Sequence, residues 1–498
     1  MSFVQNFPFF SIILCLLCAV VTFVAGDRWG RRLTVALLSV SIVLQGCVLW
    51  FCAHNNISYA YMMGHFPAPW GNEIMAGVLE PLMALVFSVV MLLSVLGGMR
   101  HIEHDIGDGS RALYWVMVDL TLVSLLALCY TNDIFTGYVF IEICTIASCG
   151  ILCARESGRT LLASMRYMVF SLVGSGLFFI GVVYLYSVTG QLLFPQLLET
   201  VGAVWQNGAY RPAVTIAVGL ISTGLAIKSG LFPFHTWLPE AHSQASVASS
   251  CILSGVIVKG YAFLLIKIIY RAIGPAVYYA TGVQNILLVL GLGGMVICSV
   301  SAIRARHLKV MVAYSSAAQI GYIFMGIGMG TQVGMLAAIL QVINHALTKS
   351  MLFLSAVQLS DASQRHMDFP HLRGAGHRDP AAGILFTAGA LSMVGVPLFA
   401  GFIPKLYFAQ EAFSLGWQRW PVLLALVAST VLNVLYFLYT AVLIWLPQEE
   451  GCTCRRIKAH WDEKLPAFVL LALGLAMGIH SAPLTALLRQ GFALFSRY

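Results

Sequence analysis

The sequence predicts an all-α polytopic membrane protein of about fourteen transmembrane helices, and three observations predict it. Of 498 residues, 59% are hydrophobic and only 10% charged, where soluble domains carry about 25% charged residues. Apolar runs of membrane-spanning length recur from end to end without a soluble insertion. Basic residues concentrate in alternate loops. A soluble chain this apolar could not cover its own core with polar surface, so lipid must do so. The formal charge of +8 then reflects where the loops lie and calls for no nucleic-acid partner.

A membrane helix needs about 20 predominantly apolar residues. Windows of that size place spans near 8–26, 33–53, 76–98, 112–130, 134–154, 166–188, 212–232, 249–270, 281–302, 309–330, 332–357, 380–410, 420–446 and 465–485. The N-terminus has no basic stretch ahead of its apolar run, so it reads as the first span rather than a cleaved signal peptide. The odd-numbered loops carry Arg28, Arg31, Arg32, Arg100, Arg111, Arg155, Arg159, Arg166, Arg304, Arg306, Lys309, Arg365, Arg373, Arg378, Arg455, Arg456, Lys458 and Lys464. The even-numbered loops carry only Arg211, Lys267, Arg271 and Arg419. By the positive-inside rule the odd loops are cytoplasmic and both termini face outward.

Four lysines remain inside the spans: Lys228, Lys259, Lys349 and Lys405. Glu142 and Asp119 are the clearest intramembrane acids, and Asn344 and His345 join them. A charge at mid-bilayer costs at least ~2.5–3.5 kcal/mol, so it normally faces protein or water and has a function. One such lysine is readily a structural ion pair or a snorkelling side chain. Four in separate spans are hard to explain that way. Lysine suits proton handling, because burial lowers its proton affinity and a nearby carboxylate restores it. Glu142 is the candidate partner. His345 and Lys349, four residues apart, share a helix face.

Two spans are interrupted. In AIKSGLFPFHTWLPEAHS (226–243) Gly230 and Pro233 break the apolar run; in SMVGVPLFAGFIPKLYF (392–408) Gly395, Pro397, Gly401 and Pro404 do so. Gly230-Leu231-Phe232-Pro233 matches Gly401-Phe402-Ile403-Pro404, with Lys228 and Lys405 adjacent. The breaks lie five spans apart, an odd shift that inverts the second unit. Paired breaks of this kind point to a transporter's ion site. The chain therefore divides as one membrane domain, 1–498, with a three-helix segment (1–111), five-helix repeats (112–270 and 281–446) and a loop with the final helix (447–498).

Other features carry less. The twelve cysteines are mostly scattered in apolar stretches and read as small buried hydrophobes. Cys452 and Cys454 form a lone C-x-C, and no spacing suits a zinc or iron–sulfur site. His101 and His104, beside Asp105 and Asp108, read as a solvated loop rather than a metal site. His235 and His242, beside the broken seventh span, read equally as extensions of a proton path or as backbone caps.

These stretches resemble the antiporter-like subunits shared by respiratory complex I (M- and N-type chains), Mrp-type sodium/proton antiporters (D-type) and membrane-bound group 4 hydrogenases. The resemblance rests on FTGYVFIEICTIAS (135–148), AIKSGLFPFHTWLPEAHS (226–243), SGVIVKGYAFLLIK (254–267), HLKVMVAYSSAAQIGYIFMGIG (307–328), INHALTKSMLFL (343–354) and VPLFAGFIPKLYF (396–408). It implies a hydrated polar axis at the membrane midplane, with the family's ionisable positions falling on Glu142, Lys228, Lys259, His345, Lys349 and Lys405. Asp119 matches no family position; it either tunes the Glu142–Lys228 pair or satisfies a local hydrogen bond. PAPWG (67–71) is closer to the Mrp and hydrogenase branches.

The implied activity is proton translocation in the cell membrane of a bacterial or archaeal-type organism. It would be coupled to redox chemistry in partner subunits, or to a second ion in an Mrp-type assembly. Iron–sulfur, nickel–iron or flavin cofactors would then belong to peripheral redox subunits, with none in this chain. The other partners implied are lipid, further antiporter-like subunits and small membrane subunits. VAGDRWGRR (24–32) also resembles a loop signature of major facilitator solute transporters. There it follows the second of twelve spans, whereas here it follows the first of fourteen and reads as a basic loop.

Overall fold

The computed structural model describes residues 3–66, 71–416, 420–447 and 460–495. Most of the PAPWG segment, Cys452 and Cys454, and Arg419, Arg455, Arg456 and Lys458 lie outside the described residues. The chain is an all-α polytopic membrane protein. Among the described residues, eleven helical segments are long and apolar enough to cross a membrane, or twelve when a pair bent by 79° near the C-terminus counts as one.

The longest helix, α1 (Phe7–Asn55), is interrupted at Gly26, which adopts φ 75°, ψ −178°. Gln45 Nε2 donates to Ser11 Oγ at 3.1 Å, so the two arms fold back on each other as a helical hairpin. The basic motif of residues 24–32 makes its turn: Asp27 accepts the Trp115 indole N–H at 2.9 Å. There follow β1 (Tyr59–Met62) and β2 (Glu73–Ala76), an antiparallel pair, and then α2 (Leu79–Gly97), α3 (Asp108–Tyr130), α4 (Ile134–Cys153) and α5 (Gly158–Thr189). Asp133 and Ser157 start α4 and α5 by accepting the N–H groups of Thr136 and Thr160, as N-caps do. α6 (Phe194–Asn207) is a short helix buried only at Phe194, Leu197 and Val201. Neither it nor the β pair was expected, because windows scaled to a membrane span pass over both.

The next span is split into α7 (Arg211–Ser229) and α8 (Trp237–Gln244). α9 (Val247–Ile273) is buried along its whole described length and contains two wide π turns, Leu253–Ile257 and Ile269–Ile273. α10 (Val283–Arg304), α11 (Leu308–Gly328) and α12 (Gln332–Asp361) complete the centre. A second interrupted pair of helices follows as α13 (Pro380–Val394) and α14 (Phe402–Ser414), then α15 (Trp420–Trp445), α16 (Trp461–Ile479) and α17 (Ser481–Phe495).

The charge distribution among the loops needs correction. Lys267 and Arg271 are not loop residues but lie buried in α9, where Arg271 pairs with buried Glu80 at 2.8 Å. Lys309 and Lys464 are buried too: Lys309 Nζ donates to Ala245 O at 2.5 Å, and Lys464 pairs with Asp379 at 2.6 Å. Each stands within a turn or so of an apolar run's edge, where a hydropathy window cannot tell a helix end from a loop.

Candidate functional site: a row of buried ionisable groups

Lys228 sits in the last turn of α7, two residues before Gly230. Gly230 takes φ 74°, the left-handed conformation that ends helices and that glycine adopts without strain. The cation therefore lies at the negative end of the α7 dipole. Lys228 is 1% exposed, its Nζ donates to Thr145 Oγ1, and it stands 5.6 Å from the centre of the Tyr261 ring. Thr145 is three residues beyond Glu142 on α4, so the ammonium docks one turn from the acid. Among the described residues no ion pair joins Glu142 to Lys228 within 4.0 Å. Glu142 is half-buried, with Oε1 enclosed and without a hydrogen-bond partner.

Lys259 and Lys349 form the centre with two histidines. Lys259 Nζ donates to Ser254 O within the first π turn of α9, where π turns often mark functional positions. Lys349 Nζ donates to Val312 O at 2.9 Å and to Ser315 Oγ, with the Phe437 ring 5.5 Å away. His345 and His242 are fully buried and neither ring nitrogen of either has a hydrogen-bond partner among the described residues. Lys259 and Lys349 are close enough for their charges to act on both rings. His242, read from the sequence only as an accessory, thus belongs to the centre. His235 does not: its ring lies against Phe232 and Tyr314, at 5.7 and 6.4 Å.

A chain of neutral polar groups leads on from the centre. Gln341 Nε2 donates to Gln319 Oε1, Asn344 Nδ2 to Gln341 Oε1 (3.3 Å), and Thr348 Oγ1 to Asn344 Oδ1 (3.1 Å). Ser392 bridges Thr348 (3.2 Å), Asn344 (3.4 Å) and the Gly401 N–H (3.3 Å) at the second break. Of this chain the sequence reading named only Asn344. Neutral amides and hydroxyls are common in apolar spans and carry no signal until they are seen to touch.

Lys405 closes the row. Its Nζ donates to Val394 O at 2.7 Å and Met393 O at 3.1 Å, the carbonyls left open where α13 ends. It lies 5.4 Å from the Tyr322 ring centre and is half-buried. The glycine that ends α13 is Gly395, at φ 91°. Gly395 is therefore the geometric counterpart of Gly230, whereas the sequence match had paired Gly230 with Gly401.

Asp119 stands apart. It faces the N-terminal hairpin, accepting from Thr22 Oγ1 at 3.0 Å. His101 Nε2 meets Asp361 at 2.9 Å, and His104 stands beside Arg365 and Asp105.

The row is built of groups that accept and release protons in apolar surroundings, spread over α4, α7, α8, α9, α12 and α14. The family described as NADH:quinone oxidoreductase/Mrp antiporter, TM, is matched over residues 131–433, a stretch that holds every member of the row. The chain belongs to this family. It is 31% identical, over 84% of its own length and 83% of the relative's, to the NADH-quinone oxidoreductase subunit N of Desulforudis audaxviator. One chain of the membrane-bound sulfane sulfur reductase, an archaeal respiratory membrane complex, superposes with TM-score 0.88 at 25% identity, covering 98% of this chain and 97% of that one. A chain of the Mrp complex from Dietzia sp. DQ12-45-1b has the same fold, with TM-score 0.87 at 22% identity over 100% of this chain and 98% of that one. The protein is thus an antiporter-like membrane subunit of the kind found in such multisubunit assemblies.

Proposed function

We propose that this chain is the proton-translocating subunit of a complex I-related energy-converting complex. The observation that carries the reading is the row of buried and half-buried polar groups from Glu142 to Lys405, with a lysine at each of two helix breaks. A proton loads onto Lys228 at the α7 break and leaves it as the pull of Glu142 changes. It then crosses Lys259, His345 and Lys349, with His242 beside them, and reaches Lys405 through the Gln341–Asn344–Ser392 groups. Water joins members that do not touch. Energy is supplied by redox chemistry in partner subunits, whose iron–sulfur, nickel–iron or flavin groups lie outside this chain.

In this reading the chain crosses the membrane fourteen times. The Gly26 hairpin counts as two spans, the α7–α8 and α13–α14 pairs as one each, and α16 as the last. Residues 112–270 and 281–446 are then two five-helix repeats of opposite sense, after a three-helix segment (1–111) and before the final helix (447–498). The odd-numbered loops are cytoplasmic. With Lys267 and Arg271 removed from the even-numbered loops and Lys309 and Lys464 from the odd-numbered ones, the basic excess of the odd loops stands, which supports that orientation.

A second reading, a subunit of an Mrp-type Na+/H+ antiporter without redox chemistry, is favoured by the likeness to the putative antiporter subunit mnhD2 of Staphylococcus haemolyticus, 27% identical over 95% of this chain. Purification of the native assembly and identification of its co-subunits separates the two. The mechanism is tested by proton uptake into vesicles containing the purified assembly. Lys228→Ala and Glu142→Gln should each reduce uptake at least tenfold in an assembled complex. Wild-type uptake in both removes these residues from the path.

A further inference from the structure

The loop between α12 and α13 holds three metal-ligating side chains that the proton row does not use. His366, Asp368 and His371 are all exposed, and one donor atom from each lies within 4.8 Å of the other two. The two imidazole rings stack with centres 4.5 Å apart and planes at 21°. Among the described residues none of the three side chains makes a hydrogen bond or an ion pair. No cysteine takes part, so the cysteine spacings gave no sign of the cluster.

Backbone bonds bring the three together. Gln364 and Arg365 adopt left-handed φ of 55° and 66°, a costly conformation for residues with a side chain, and the chain turns there just ahead of His366. His371 N donates to Asp368 O at 3.1 Å, so Asp368 and His371, three apart on one helical turn, share a face. The buried Arg378 guanidinium donates to Ser363 Oγ at 2.8 Å and to His371 O at 3.1 Å, tying the two ends of the stretch. Leu308 N donates to Met367 O at 2.8 Å and docks the middle on the start of α11. His307 thereby faces Asp368 across an antiparallel bridge. Its Nδ1 is enclosed without a hydrogen-bond partner among the described residues, and the Asp368 carboxylate is close enough for its charge to act on the ring.

Two imidazoles and a carboxylate suit zinc and similar divalent ions, whereas calcium and magnesium take oxygen donors. Zinc with ligands at about 2.0–2.1 Å holds them roughly 3.4 Å apart in a tetrahedron. Small rotations of exposed side chains reach that spacing from the present one. The face is open, so water can complete the coordination. A ligating carboxylate is itself normally hydrogen-bonded, and the His307 ring is placed to do this for Asp368. We propose that His366, Asp368 and His371 form a zinc-binding site, with His307 supporting the carboxylate from the start of α11. A bound ion would fix the loop that leaves α12, the helix of His345 and Lys349, against α11. The site goes beyond the proton-path reading and does not rest on it.

The test reads the ligands directly. Diethyl pyrocarbonate modifies exposed imidazoles, and peptide mass spectrometry of the purified assembly locates each modified ring. After a chelator has been applied and removed, His366, His371 and the exposed His104 should all react. Micromolar zinc should then protect His366 and His371 and leave His104 reactive, and millimolar magnesium should protect none of them. Any other pattern of protection overturns the site. His307→Ala should raise the protecting zinc concentration about tenfold, the lower end of what losing an outer-shell partner costs, and Asp368→Asn should raise it further. If His366 and His371 stay unmodified even without zinc, bound metal decides. A His366→Gln/His371→Gln double variant should then hold one zinc fewer per copy of this chain than wild type, and equal zinc contents overturn the proposal.

Discussion

The two helix breaks solve one problem in two ways. Each first half ends at a glycine with positive φ, Gly230 or Gly395, and each break presents a lysine to the low-dielectric interior. At the first break the lysine belongs to the half that ends, and it reaches across to another helix for a hydroxyl. At the second it belongs to the half that begins, and it reaches back to bond the open carbonyls of the half that ended. Lys405 therefore ties its break together, whereas Lys228 leaves its own break free. A proton site that must change partners is better served by the first arrangement, and a terminal site that must hold its place by the second.

Replacing the lysines is the harshest way to break this comparison. Lys228→Met and Lys405→Met should both reduce proton uptake at least tenfold, but Lys405→Met, which loses two hydrogen bonds rather than one, should lower the unfolding midpoint of the assembly further. Its two charge-assisted bonds to backbone are of the kind worth about 1.5–3 kcal/mol each to stability. Equal midpoints in the two variants would erase the difference drawn here.

The glycines sharpen it with a smaller effect. A side chain at either position costs about 1–2 kcal/mol through the left-handed backbone alone. At Gly230 an added Cβ would meet the tip of Leu238 at 3.0 Å and the Trp237 ring at 3.4 Å, whereas at Gly395 it would lie 2.8 Å from Cδ of Lys405 itself. Gly395→Ala should therefore impair uptake more than Gly230→Ala at similar loss of stability. A larger uptake defect in Gly230→Ala would show that the first break, not the second, is the tightly fitted one.

What the sequence disclosed follows the same physics. Charges in apolar runs cost so much that each one is conspicuous, so Lys228, Lys259, Lys349, Lys405 and Glu142 were legible from one chain. His242 was visible but could not be placed, because its position depends on how far α8 turns after the break. Gln319, Gln341 and Ser392 were invisible, since a neutral amide or hydroxyl in a span has no distinguishing cost. Glu80, Lys267 and Arg271 were missed because they stand near the ends of apolar runs. The resemblance supplied the ordering of the row. The glycine that ends α13 was misassigned because the letter match of Gly401 outweighed the backbone role of Gly395.

The gentlest test lies at the end of α12, away from the row, and asks whether the contact there responds to pH. His101, on the short helix Met99–Asp105, is mostly buried and meets Asp361 at the end of α12. Burial disfavours its charged form, but the bond and charge of Asp361, with Glu463 and Asp105, outweigh this and raise it above the ordinary 6.5. A raised value in the folded state means that the pairing is fully present below pH 6.5 and is lost as pH climbs through the folded value. The unfolding midpoint of the assembly should therefore fall between pH 6 and 9, and His101→Gln should flatten that part of the fall. Asp361 is about a third exposed, so water screens the pair and the effect should stay below about 1 kcal/mol. A His101→Gln profile parallel to wild type would show that the imidazole remains neutral and that α12 is anchored at this end by packing alone.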